Sequence, residues 1–94
     1  MDNSLIKTNN YTVFTFTSTS NALKAEKLLK EIKAEFLIMP TLREISSSCG
    51  LSIKLASENQ PVYYQYLIDH NVGIDGAYNV EKQGKKNLVT KARL

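Results

Sequence analysis

Residues 11–17, YTVFTFT, interleave aromatic and β-branched side chains with threonines, which predicts a strand on a mostly buried pleated surface. STSN follows, a cluster of side chains able to cap a helix start. Ala22, Ala25, Leu28, Leu29 and Ile32 then recur at helical spacing. Lys24, Lys27, Lys30 and Glu31 fall largely outside that stripe, and Glu26 precedes Lys30 in the favourable i, i+4 order. EFLIMP, residues 35–40, predicts a short apolar strand that stops at Pro40, whose nitrogen has no hydrogen to donate to a ladder. LSIKLA, residues 51–56, sets Leu51, Ile53 and Leu55 against Ser52 and Lys54, the alternation of a strand with one buried and one wet face. After SENQP, whose proline suits a first helical turn, Val62, Tyr63, Tyr66 and Leu67 predict a second helix over residues 60–70. Tyr63, Tyr64 and Tyr66 cannot all face inward from one helix, so one of them is expected at the surface. GIDGAYNV, residues 73–80, predicts a last short strand weakened by its two glycines.

Strand, helix, strand, strand, helix, strand is the order of an α+β fold. It predicts a ferredoxin-like split βαβ domain (βαββαβ), a four-stranded antiparallel sheet with both helices on one face. Right-handed crossovers then bring the loop after Pro40, the STSN turn and the end of the second helix, with His70, to one edge of the sheet. The other face, with Ser52 and Lys54, is expected to be uncovered and to leave room for a homodimer partner. The chain accordingly divides into an N-terminal extension (1–10), the ferredoxin-like domain (11–80) and a tail (81–94).

Charge changes the picture only at that tail. The 94 residues carry a net +3, but residues 81–94 hold five basic side chains against the single acid Glu81. That is a net +4, which leaves −1 for residues 1–80. A tail so basic and so poor in apolar residues is expected to be frayed or flexible and to bind nucleic acid only weakly and without specificity. The near-neutral remainder, with no aromatic R/K-G-F-type strand motif, argues against an RNA-recognition domain. No apolar run approaches the roughly 20 residues that cross a bilayer. MDNSLIKTNN also lacks a signal peptide's apolar centre, so a cytoplasmic protein without a membrane partner is expected. One cysteine and one histidine exclude an internal disulfide framework and a structural zinc site within one chain. Neither metal nor cofactor is expected.

The one thiol lies in TLREISSSCG, residues 41–50, behind three serines and before a glycine. With the helix start and Arg43 expected nearby, the positive end of the helix dipole and a cation would favour thiolate at Cys49. Ser46, Ser47 and Ser48, the backbone around Gly50, and Ser18 and Ser20 of the first turn supply donors for an anion. Gly50 allows a close approach or a left-handed turn. These residues predict an open, donor-rich pocket. The plainer reading keeps Cys49 as an inert, half-buried thiol in a structural turn, and Arg43 and Glu44 as a surface pair. His70 could serve Cys49 as an auxiliary base, although a histidine at a helix end is more commonly placed for the dipole. No catalytic constellation beyond the thiol is visible, which points to a carrier or binding protein rather than a turnover enzyme.

At these residues the chain also resembles a known family. Phe16, Thr17 and Ser18 close the first strand. Ala22, Ala25, Glu26 and Leu29 form an A-x-x-A-E-x-x-L helix, Pro40 follows, and Arg43, Glu44, Ile45, Ser46, Ser47, Ser48, Cys49 and Gly50 spell R-E-I-S-S-S-C-G. From about Tyr11 to Val80 this is similar to a family of small bacterial domains of unknown function labelled selenium/sulfur (Se/S) carrier protein-like. Leu42 stands where the family commonly has a second proline, and the tail lies outside the resemblance. The resemblance implies that Cys49 carries sulfur or selenium as a persulfide or perselenide between donor and acceptor proteins. The alternative is a non-catalytic ferredoxin-like module that recognises a small anion or a partner protein through residues 43–50.

Overall fold

The computed structural model describes residues 10–45 and 49–92. Along them run β1 (Asn10–Phe16), α1 (Thr19–Glu31), β2 (Leu37–Pro40), β3 (Leu51–Leu55), a 3-10 turn (Ser57–Asn59), α2 (Gln60–Asp69), β4 (Ile74–Gln83) and β5 (Lys86–Lys91). The strands form one sheet in the order β2-β3-β1-β4-β5, and each neighbouring pair is antiparallel. The α+β class and the first six elements follow the sequence pattern. The count of four strands is corrected to five.

The fifth strand comes from the segment expected to fray. β4 continues to Gln83, the chain turns at Gly84 with φ of 61°, and β5 pairs back from Lys86 opposite Gln83 to Lys91 opposite Tyr78. Glycine enters that left-handed region without strain, as a two-residue hairpin turn requires. Low apolar content misleads here because β5 needs only a backbone ladder and one anchoring side chain, Val89 opposite Val80. Nor do the glycines before Tyr78 break β4. Gly76 lies opposite Thr15, and a Cβ there would come within 3.1 Å of the Tyr78 ring, so the aromatic fills the space the glycine leaves.

Alternation along β1 divides the core. Phe14 and Phe16 share one face with Ile53, Leu55 and Ala77 and pack under Ala22, Ala25 and Leu29 of α1 and Leu67 of α2. Tyr11 and Val13 point the other way and join Val80 and Ile45 in a second, smaller cluster, flanked by Met39, Leu42, Tyr78 and Val89. The face expected to be bare is therefore partly covered by the loop that follows β2. Ser52, assigned to a wet position, is fully buried with its Oγ 2.7 Å from Thr41 Oγ1. Lys54 is half-buried, its Nζ 4.2 Å above the Tyr11 ring.

No tyrosine of α2 is released to the surface, contrary to expectation. All three are half-buried against the larger cluster, because a tyrosine can pack its ring and still direct its hydroxyl outward. Tyr64 meets Phe14 edge-on at 6.1 Å between centroids, and the Tyr63 hydroxyl accepts a hydrogen bond from the Glu35 N–H at 3.1 Å.

The start of α1 is tied to the exit of α2. Ser18 caps α1, its Oγ accepting from the Asn21 N–H at 3.2 Å. Asn21 Nδ2 donates to Thr17 Oγ1 at 2.9 Å, and its Oδ1 accepts from the Gly73 N–H at 2.9 Å. The Thr17 N–H in turn donates to Gly73 O at 3.0 Å. A Cβ on Gly73 would sit 2.5 Å from Thr17 Oγ1 and 2.9 Å from Asn21 Nδ2. Gly73→Ala should therefore break this junction at a cost of about 1–3 kcal/mol, read as a lower urea midpoint at unchanged m value.

Candidate functional site

Residues 41–50 leave the sheet at Pro40 and return at Leu51, its antiparallel partner. Thr41 fastens the two ends. Its N–H donates to Gly50 O at 3.0 Å and its Oγ1 donates to Cys49 O at 2.8 Å. A threonine hydroxyl has one hydrogen, so Ser52 is the donor in the 2.7 Å contact between the two hydroxyls.

Going out, the Ile45 N–H donates to Leu42 O at 3.0 Å, a turn that lays Leu42 and Ile45 on the smaller cluster and leaves Arg43 and Glu44 exposed. Burial, and secondarily the nearby Glu44 carboxylate, raise the Tyr11 phenol above its usual pKa. Coming back, Cys49 enters the larger cluster, in the company of Phe14, Phe16, Ala22 and Ala25. Only 2% of its surface is exposed, and its Sγ donates to Leu51 O at 3.4 Å. Ile45 and Cys49 thus anchor the two ends of the serine segment on opposite faces of the sheet. Ser46, Ser47 and Ser48 lie outside the described residues.

The open pocket expected around the thiol is overturned by this burial. Cys49 is in phase with Leu51, Ile53 and Leu55, and a period of two carries it onto their face, toward the helices. That alternation was the available signal, and the polar neighbours in sequence hid it. Gly50 is likewise not the close approach or left-handed turn expected. Among the described glycines only Gly84 has a positive φ, and a Cβ on Gly50 would meet nothing within 4 Å. Thr41, Ser52 and Ile45 are the structural partners that the sequence pattern did not bring forward.

The pairing of Phe16 with Ile74, and of Pro40 with Leu51, places the start of α1, the loop and the end of α2 at one end of the sheet. Ser18 caps α1 there, and Ser20 is exposed in the same turn. His70 closes α2 and is engaged with its own helix, Nδ1 lying 2.8 Å from Tyr66 O and the ring 4.3 Å from that of Tyr66. Among the described residues no group of three His, Cys, Asp or Glu could hold a metal ion, and no helix is long and apolar enough to cross a membrane.

A family model described as "Putative Se/S carrier protein-like" matches residues 10–79. The match runs from β1 into β4 and takes in the whole of residues 41–50, while β5 lies beyond it. No curated protein and no solved structure matches the chain.

Proposed function

Because the chain belongs to the Se/S carrier protein-like family, we propose that it takes up sulfur or selenium from a donor protein on Cys49 and passes it to an acceptor protein. The observation that carries this reading is that Cys49 is the only cysteine and lies within the matched residues. Covalent carriage on a thiol has no other place in this chain. In loading, the Cys49 thiolate attacks the terminal sulfur of a donor persulfide. A bond forms between Sγ and that sulfur, the donor's S–S bond breaks, and the donor leaves as thiolate. In unloading, an acceptor nucleophile attacks the same terminal atom and Cys49 departs as thiolate. Selenium follows the same course as the terminal atom of a perselenide.

Arg43, Ser46, Ser47, Ser48 and the Gly50 backbone, with Ser18 and Ser20 at the same end of the sheet, are the donors we assign to the terminal anion. His70 keeps an auxiliary place. We read the strand order β2-β3-β1-β4 as a ferredoxin-like split βαβ unit, with β5 added beside β4. That reading is supported by β3 standing between β2 and β1, and by the antiparallel direction of each pair. A lone reduced thiol suits a reducing, cytoplasmic setting. Burial sets one requirement on the chemistry: the chain at Cys49 and Gly50 must swing away from Thr41 before a donor's sulfur can reach Sγ.

The same burial favours a second reading, in which the exposed Arg43 and Gly50 recognise an anion or a protein and the cysteine only packs. Incubation with a cysteine desulfurase and cysteine, followed by intact mass, separates the two. A carrier gains one sulfur atom per chain and Cys49→Ser gains none. A chain that keeps its unmodified mass, even with the loop loosened by Thr41→Val, belongs to the second reading.

A further inference from the structure

We propose that the helix-free face of the sheet, where Lys54, Lys82 and Lys91 stand with the exposed Arg43, docks the acidic surface of a partner protein. This inference does not rest on the chemistry at Cys49, and Arg43 is the residue it shares with the donors assigned there. Strand register places the lysines. Lys54 pairs with Val13, Val13 with Tyr78 and Tyr78 with Lys91, so the row across β3, β1, β4 and β5 begins and ends on a lysine, with Leu37 of β2 beyond Lys54. Lys82 has the parity of Tyr78 and Val80 and so points the same way, four residues further along β4. At about 3.4 Å per residue and about 4.8 Å between strands, these amines bound a patch about 14 Å on a side. Leu42 and Ile45 lie on the same face and carry Arg43 and Glu44 between them.

Charge on this face is poorly balanced. Among the described residues, Lys54, Lys82, Lys91 and Arg43 stand here with the carboxylate of Glu44 near Tyr11. Among the described residues the ion pair within 4.0 Å joins Lys30 and Glu26 on α1, so none of these lysines is neutralised by a described acid. Burial, followed by the charge of Lys82, holds the Lys54 ammonium below the ordinary lysine pKa, so the cations feel one another. An acidic partner would relieve that repulsion and be steered toward it.

Two other occupants fit less well. Single-stranded nucleic acid needs open aromatic faces on which to stack bases. Here the Tyr11 ring is buried and covered by Lys54, and Tyr78 packs on the cluster. A second copy laid face to face would oppose lysines with lysines. Antiparallel self-pairing of β5 about its midpoint would likewise set Lys86 against Lys91.

Poly-L-glutamate at low salt is the probe, and binding is followed by fluorescence anisotropy. Lys82→Glu with Lys91→Glu reverses two exposed charges on the face, and Lys24→Glu with Lys27→Glu makes the same change in net charge on exposed positions of α1. The face variant should weaken binding by roughly tenfold and the α1 variant by less than about twofold. Equal losses would reduce the effect to net charge and overturn the proposal. Tighter binding of oligothymidylate than of poly-L-glutamate, lost through the same two lysines, would overturn it in favour of nucleic acid.

Discussion

Phe14→Ala is expected to remove a large part of the protein's stability, about 3–5 kcal/mol. Phe14 is fully buried at the middle of the sheet, between Ile53 of β3 and Ala77 of β4, with Tyr64 edge-on above it. Truncating such a phenylalanine costs about 3–5 kcal/mol, the transfer term plus that of the cavity left behind. A domain of this size holds only about 5–10 kcal/mol in total. The cavity cannot collapse easily, because both neighbouring strands are held in register through β1 and α2 cannot settle without displacing Tyr63 and Tyr66 as well. Urea unfolding followed by circular dichroism should show the native baseline shortened or lost. A midpoint close to that of the unsubstituted chain would mean that the larger cluster is not the source of stability assigned to it.

The second large effect concerns the rate at which Cys49 reacts with iodoacetamide. Opening the loop gives up the two hydrogen bonds from Thr41 to Cys49 and Gly50 and exposes one small apolar side chain, about 2–4 kcal/mol together. Native alkylation should then run roughly 30- to 1000-fold slower than in the unfolded chain, and mild urea should accelerate it. Thr41→Val removes the donor to Cys49 O and strands the Ser52 hydroxyl, so labelling should quicken by about tenfold. Thr41→Ser should restore the slow rate. A native rate equal to that of the unfolded chain would contradict the burial of the thiol.

Most of the fold was legible in the sequence because each of its first six elements carries its own period. Leu51, Ile53 and Leu55 alternate, and Ala22, Ala25 and Leu29 recur at helical spacing; both sets reach the core as their spacing requires. β5 was not legible, since an edge strand needs little apolar content and Leu88 and Val89 sit among lysines and polar residues. The candidate site was legible as a segment and misread as an environment. Hydroxyl neighbours in sequence suggested a polar surrounding for Cys49, but neighbours along a strand point to opposite sides, and the thiol follows Leu51 rather than its serines. Ile45 shows the same effect in reverse. A lone large apolar residue in REISSS has no period to declare it, yet it is what holds the loop on the helix-free face.

The place of β1 in the sheet also governs how the chain can be assembled during synthesis. β1 occupies the middle of the sheet, and both of its neighbours, β3 and β4, follow it in the chain beyond α1 and β2; Thr12 waits for Asn79, 67 residues on, before its hydroxyl finds that partner. The helix α1 can form early from local bonds, but the nascent strand gains its first flank only with β3 and its second only once β4 has emerged. Sheet closure is therefore a late and cooperative event. Until then Val13, Phe14 and Phe16 are apolar residues open to a chaperone.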